Sequence, residues 1–150
     1  MTKGDYERQY YDALRIAQRA HERQLDKGMH PYIMHPVRVS EMCHTRSAKI
    51  AALLHDTIED SVLEAKDLVR QGISKDIAAV VTVLTHKKGE SYTEYIHRVA
   101  DDQIATEVKI ADLKDNMDIT RLLGQLDEKD FQRLQKYKAA YDYLMELSED

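Results

Sequence analysis

The stretch Ser47-Ala48-Lys49-Ile50-Ala51-Ala52-Leu53-Leu54-His55-Asp56 decides the fold. Ile50 to Leu54 is apolar on nearly every side of a helix, which puts this helix in the middle of a core rather than on a surface. Ser47 reads as its cap, and the helix, Ala48 to about Asp56, delivers His55 and Asp56 at its C-terminal end. Thr57-Ile58-Glu59-Asp60 follows at once, so His55, Asp56, Glu59 and Asp60 all arrive at the edge of the core. Left unpaired there, each would cost on the order of several kcal/mol. Imidazole nitrogen and carboxylate oxygen can instead share a divalent cation, and His35 and Asp112 would complete a mixed shell with His55 and Asp56. Without thiolates, this shell disfavours a closed structural zinc site and favours manganese, iron, cobalt or zinc with positions left open for water. Glu59 and Asp60 lie close enough to orient a metal-bound water or carry its proton, and the chemistry indicated is metal-assisted hydrolysis. The His-Asp dipeptide taken alone also fits a plainer reading, an imidazole held by an acid at a helix end.

Outward from this centre the chain reads as helices. Tyr10, Leu14, Ala17 and His21 recur at helical spacing in a segment from Asp5 to about Lys27, with Asp5 as cap and Gly28 as stop. Both prolines fall in Met29-His30-Pro31-Tyr32-Ile33-Met34-His35-Pro36, which predicts extended backbone before Pro36 opens a short helix toward Cys43. Further helices are expected at Glu64–Gln71, at Lys75–His86 capped by Ser74, and from the capping box Ser91-Tyr92-Thr93-Glu94 to about Ala100. A helix from Gln103 to about Leu123 puts Lys109, Asp112 and Asn116 on one face. The last, from about Glu128 to Leu147, has Phe131, Leu134, Tyr141 and Leu144 as its inward stripe. The tyrosines at helical spacing read as packing residues. His21, His30, His44, His86 and His97 read as core-edge or surface side chains, and Asp101-Asp102 as a solvated helix terminus.

Composition agrees. With two prolines and five glycines in 150 residues, an all-β architecture with frequent tight turns is disfavoured and an all-α single domain is expected. At this length the core needs neither a disulfide nor a structural metal to form. The single cysteine, Cys43, reads as a small buried side chain. A polar N-terminus and apolar runs of only five residues, Ile50–Leu54 and Ile77–Val81, argue against a signal peptide or a membrane span, so a cytoplasmic protein is expected. A net charge of −5, with 27 acidic and 22 basic residues interspersed, argues against a nonspecific nucleic-acid surface.

Three segments occur in order: Pro31-Tyr32-Ile33-Met34-His35-Pro36, Ala52-Leu53-Leu54-His55-Asp56-Thr57-Ile58-Glu59-Asp60, and Val108-Lys109-Ile110-Ala111-Asp112-Leu113-Lys114-Asp115-Asn116-Met117. Together they resemble the HD phosphohydrolase superfamily, and more narrowly the hydrolase domain of RelA/SpoT-type guanosine tetraphosphate and pentaphosphate enzymes, over about Ala17 to Arg121. The resemblance implies an all-helical bundle over 1–150 with one divalent metal, manganese first, held by His35, His55, Asp56 and Asp112. It implies that Glu59 and Asp60 assist the attacking water and that Asn116 contacts the substrate near its sugar. The implied reaction removes the 3′-pyrophosphate of (p)ppGpp, giving GDP or GTP and pyrophosphate.

The chain departs from that family around the substrate. Where a segment of the Arg-Lys-Ser-Gly-Glu-Pro-Tyr kind is expected, it reads Asp26-Lys27-Gly28-Met29-His30-Pro31-Tyr32, leaving Lys27 as the retained cation. Asp115 stands where a histidine is frequent, and Ile119 where a hydroxyl is common. Lys109 is the preferred further phosphate contact because it shares a face with Asp112 and Asn116, ahead of Lys114 and of Lys87-Lys88. With no room for a synthetase domain, the chain reads as a stand-alone hydrolase. The alternatives are a metal-dependent phosphatase acting on a 2′- or 3′-phosphorylated nucleotide or dinucleotide, and a nucleotide-sensing module that does not cleave. Tyrosines on the first and last helices offer an interface for a homo-oligomer.

Overall fold

The computed structural model describes residues 1–148. In chain order the helices are α1 Lys3–Ala20, α2 Met34–Met42, α3 Arg46–Leu54, α4 Thr57–Asp60, α5 Ala65–Arg70, α6 Lys75–Leu84, α7 Tyr92–Ala100, α8 Gln103–Asn116 and α9 Glu128–Ser148, with a 3₁₀ turn at Ile119–Arg121. Among the described residues there is no strand, only an isolated bridge between Leu25 and Pro31. The all-α expectation holds. No helix is long and apolar enough to cross a membrane.

Helix α3 is central, as its composition requires. Every side chain from Ile50 to Leu54 is fully buried, and α1, α2, α6 and α8 pack around it. Each such leucine or isoleucine removed from water contributes about 1.5–3 kcal/mol. The cap, however, is Thr45 and not Ser47: Thr45 Oγ1 accepts the Ala48 N–H at 3.3 Å. Glu107 from α8 sets this position, because its carboxylate takes the His44 and Thr45 N–H groups at 2.6 and 3.1 Å and the Thr45 hydroxyl at 2.9 Å. Cys43 lies buried beside it, and burial, with the Glu107 charge adding to it, pushes its thiol up to about 12.

Three other boundaries differ from the sequence reading. Helix α1 is capped by Thr2 rather than Asp5 and ends at Ala20, well before Lys27. His21 to Gln24 offers the core no aliphatic residue beyond the His21 ring, and Arg23 turns the chain with a φ of 71°. Gly28 is therefore not a helix stop. A Cβ there would lie 2.0 Å from the carbonyl oxygen of Arg121, so only glycine lets the 25–31 loop close on the 3₁₀ turn. Helix α8 ends at Asn116 instead of near Leu123, because Asp118 starts the turn by accepting the Thr120 N–H at 3.0 Å. Pro36 sits in the third position of α2 rather than the first, still where no helical N–H is required.

The caps Ser74 and Ser91 are as expected, and Asp102 is a working cap whose carboxylate accepts the Ala105 N–H at 2.8 Å. On α9, Leu144 is fully buried and Ala140 nearly so, whereas Phe131 is half exposed and not part of the inward stripe. The inward stripe of α9 is therefore shorter than its periodicity implies.

Candidate active site

Three segments converge beneath α9. Helix α2 brings His35 in its first turn, the C-terminal end of α3 brings His55 and then Asp56, and α8 brings Asp112. One donor atom from each of these residues lies within 4.8 Å of all the others. His35 Nε2 and His55 Nε2 stand 2.8 and 3.1 Å from Asp112 Oδ1, and His55 Nε2 is 3.0 Å from Asp56 Oδ2. The far sides of both rings are engaged: His55 Nδ1 donates to the Ala52 carbonyl at 2.6 Å and His35 Nδ1 to Asp115 Oδ2 at 2.6 Å. Each ring therefore turns its Nε2 toward the two carboxylates, the orientation from which imidazole can ligate a cation. Two nitrogens and two carboxylates fit a borderline divalent metal.

The electrostatics of the cluster point the same way. Burial opposes charge on His55, yet the Asp56 and Asp112 carboxylates raise its pKa well above the usual imidazole value. Burial likewise works against ionised Asp112, but the Lys109 ammonium and His55 hold it well below the usual carboxylate range. Asp56, despite burial, is held near 2 by His55. Sites of concentrated negative potential that raise a histidine pKa attract a cation by the same field. Tyr32 donates its hydroxyl to Asp56 Oδ2 at 2.5 Å, and burial with the Asp56 charge keeps that hydroxyl protonated. Lys109 Nζ donates to Asp112 Oδ2 at 2.8 Å and Asn116 Nδ2 to Asp112 Oδ1 at 3.1 Å, so the expected shared face of α8 is real.

Above the cluster opens a cavity of about 520 Å³. Glu59 lines it, with Oε1 accepting the His86 N–H at 2.5 Å, and burial raises its carboxyl above the ordinary value. Asp60 points elsewhere: Oδ2 accepts from Gln24 Nε2 at 3.2 Å and lies 4.0 Å from His21 Nδ1. Lys27 and Asn116 line the cavity, while Lys109, also lining it, is committed to Asp112. Lys87, Lys88 and Lys114 are not among the lining residues. His86 belongs to the wall and is no bystander.

Several wall residues escape a reading of the motifs. Arg133, Lys136 and Tyr137 reach in from α9, and Tyr32 completes an aromatic rim with Tyr92 and Tyr95, which their helical spacing had assigned to packing. Lys136 Nζ sits 4.5 Å from the Tyr92 ring centroid and 5.4 Å from that of Tyr137. Burial and the nearby Arg133 push the Lys27 ammonium down, so these cations gather in one region. The buried Tyr92 hydroxyl has no hydrogen-bond partner among the described residues. The i, i+3, i+4 spacing of Arg133, Lys136 and Tyr137 carried the signal, hidden because α9 has no motif of its own.

An all-helical bundle with a His/Asp cluster at its centre is the architecture of an HD domain. The HD domain family matches residues 13–117, and the chain belongs to that family. It is 32% identical over 126 residues to the "Bifunctional (p)ppGpp synthase/hydrolase SpoT" of Escherichia coli K12, covering 74% of this chain and 17% of that protein. It is 30% identical over 116 residues to a "Guanosine-3′,5′-bis(diphosphate) 3′-pyrophosphohydrolase" of Aquifex aeolicus, covering 70% of this chain and 17% of that protein. It thus spans about a sixth of the length of these relatives. A solved structure, described as a metazoan ortholog of SpoT that hydrolyzes ppGpp, superposes with a TM-score of 0.77 at 26% identity, covering 91% of this chain and 85% of that one.

Proposed function

We propose that this domain is a metal-dependent nucleotide phosphohydrolase whose substrate is (p)ppGpp, cleaved at its 3′-pyrophosphate. The observation that carries the reading is the stacking of two features: four donor atoms within 4.8 Å of one another, and directly above them a cavity walled by Lys27, Arg133, Lys136 and aromatic rings. The activities named for the relatives support the choice of nucleotide.

His35, His55, Asp56 and Asp112 would hold one divalent ion, for which manganese is our choice ahead of iron, cobalt or zinc. When bound, such an ion lowers the pKa of a coordinated water toward neutrality and polarises a phosphoryl oxygen. Glu59, oriented by the His86 N–H and made more basic by burial, takes the proton as water adds to the phosphorus attached to the 3′ oxygen. The P–O3′ bond then breaks and O3′ takes a proton from solvent, giving GDP or GTP with a free 3′-hydroxyl and pyrophosphate. Asp60 stands one layer out, its Oδ2 held by Gln24, whose Oε1 in turn meets His21 Nδ1. Lys109 acts through Asp112, and Asn116, whose Nδ2 also donates to Asp112, meets the sugar from the cavity wall. Lys27, Arg133 and Lys136 balance phosphate charge while Tyr92 and Tyr137 offer faces to a base. We read residues 1–150 as one domain, since a single apolar cluster runs from Ala13 to Leu144, and we place it in the cytoplasm.

A second reading is a phosphatase acting on a 2′- or 3′-phosphorylated nucleotide or dinucleotide. It is favoured by Asp26, whose carboxylate is spent on the Gly28 and His30 N–H groups at 2.8 and 2.9 Å, leaving Lys27 as the lysine or arginine of that segment. A Glu59 aimed into the cavity speaks against a pure sensor. Incubating manganese-loaded protein with ppGpp, pppGpp and a set of 2′- and 3′-phosphorylated nucleotides tests these readings. Release of pyrophosphate from the alarmones is expected, and turnover of the monophosphates alone would overturn it.

A further inference from the structure

The position before Asn116 departs from the family pattern, and it holds a carboxylate that contacts the candidate metal centre from behind. Asp115 is nearly fully buried. Its Oδ2 accepts from His35 Nδ1 at 2.6 Å and from Arg38 Nη2 at 3.1 Å, and its Oδ1 accepts from Arg38 Nε at 2.8 Å. Arg121 Nη2 closes the set, 3.3 Å from Oδ2 and 2.8 Å from the Asp115 carbonyl oxygen. A carboxylate clamped by two guanidinium groups stays ionised and can only accept, so the hydrogen on this edge of the His35 ring must sit on Nδ1.

We propose that Asp115 is a positioning residue for metal binding: it locks the His35 tautomer and ring plane so that Nε2 faces Asp112 and Asp56, and Arg38 and Arg121 hold it in place for that task. This rests on the reading of His35 as a ligand. His55 is held differently, by the Ala52 carbonyl, so the two histidines are oriented by unlike groups and only His35 is backed by charge. A negative partner makes the imidazole a stronger donor, and losing such a partner typically weakens metal binding about 10–100-fold. Arg38 and Arg121 also line the cavity, so the wall that meets the substrate is tied to His35 through a single carboxylate.

The test is the Mn(II) affinity of the purified protein without substrate, measured by competition with a chelator. Asp115→Asn keeps the shape and removes the charge; it is expected to bind one Mn(II) per chain about 10–100-fold more weakly than the parent, with kcat recovering at saturating metal. Arg38→Gln frees Asp115 from its fork and is expected to weaken binding less, in the same direction, and it decides the matter should Asp115→Asn not fold. Ser74→Ala, which removes the α6 cap far from the site, is expected to lower the melting temperature while leaving Mn(II) affinity unchanged. Nitrogen-15 shifts of the His35 ring are expected to report an Nδ1–H in the parent. Wild-type affinity in both Asp115→Asn and Arg38→Gln, or an unprotonated Nδ1, would overturn the inference while leaving the metal site standing. A parent protein that binds no Mn(II) would overturn both.

Discussion

Lys109 and Asp112, one helical turn apart on α8, form a buried ion pair: Nζ and Oδ2 are 2.8 Å apart, with side-chain exposures of 11% and 5%. Removing one member of such a pair leaves the other charge without compensation, at a cost of about 3–5 kcal/mol. In Lys109→Met the carboxylate of Asp112 would depend on the two histidines or on a bound cation. The variant is expected to lose about 3 kcal/mol of unfolding free energy in chelator and clearly less in saturating Mn(II), as read by urea denaturation. Equal losses in both conditions would mean that no cation reaches Asp112.

Gly28 is a steric requirement of the loop that presents Lys27. A methyl group there meets the Arg121 backbone at 2.0 Å and the His30 ring at 3.0 Å, so Gly28→Ala must displace the loop or the 3₁₀ turn. The expected loss is about 1–3 kcal/mol, with a fall in kcat/KM as Lys27 and Arg121 move. Gly4, in α1 with nothing within 4 Å, is the control: Gly4→Ala is expected to be neutral or mildly stabilising. Identical behaviour of the two variants in thermal denaturation would remove the packing argument.

Glu90 and Arg98 give the fold a pH dependence in the acid range. Arg98 Nε and Nη2 reach the Glu90 oxygens at 2.8 and 3.0 Å, and Arg98 also donates to the Val83 and Thr85 carbonyls at 2.7 and 2.9 Å. Hydrogen bonding from Arg98 holds the Glu90 carboxyl at about 2, below its ordinary 4.5. A depressed folded-state value means that the stabilisation is complete above about 4.5 and is lost as the pH falls through about 2. Glu90→Gln should therefore melt below the parent at neutral pH, and the gap should close on acidification. A gap independent of pH would show that the charge on Glu90 is not what stabilises the loop.

Glu59→Gln keeps the size of the side chain and removes its basicity. The variant is expected to bind Mn(II) as the parent does and to turn over at least ~100-fold more slowly, the ordinary worth of a positioned base. Wild-type turnover would take Glu59 out of the mechanism.

Much of the centre was legible because it obeys local rules. An apolar run at Ile50–Leu54 has to be buried, and whatever ends it arrives at the core edge, so His55 and Asp56 followed from chain order alone. The boundaries that moved did so through contacts between distant segments: Glu107 shifts the α3 cap to Thr45, and Arg121 turns Gly28 from a helix stop into a point of backbone contact. The rear of the site was hidden for the same reason. Nothing local to Asp115 announces that His35 and Arg38, some 77–80 residues earlier, will close on it. Arg133 and Lys136 belong to no motif, and only the placement of α9 across the cavity brings them into its wall.

Catalysis at this site depends on His35, His55, Asp56 and Asp112 holding one cation, as proposed above. Anomalous diffraction from crystals of the protein grown with Mn(II) tests it most directly. One manganese peak per chain is expected within coordination distance of both Nε2 atoms and an oxygen of each aspartate. A peak elsewhere, or none among these four side chains at saturating Mn(II), would contradict it.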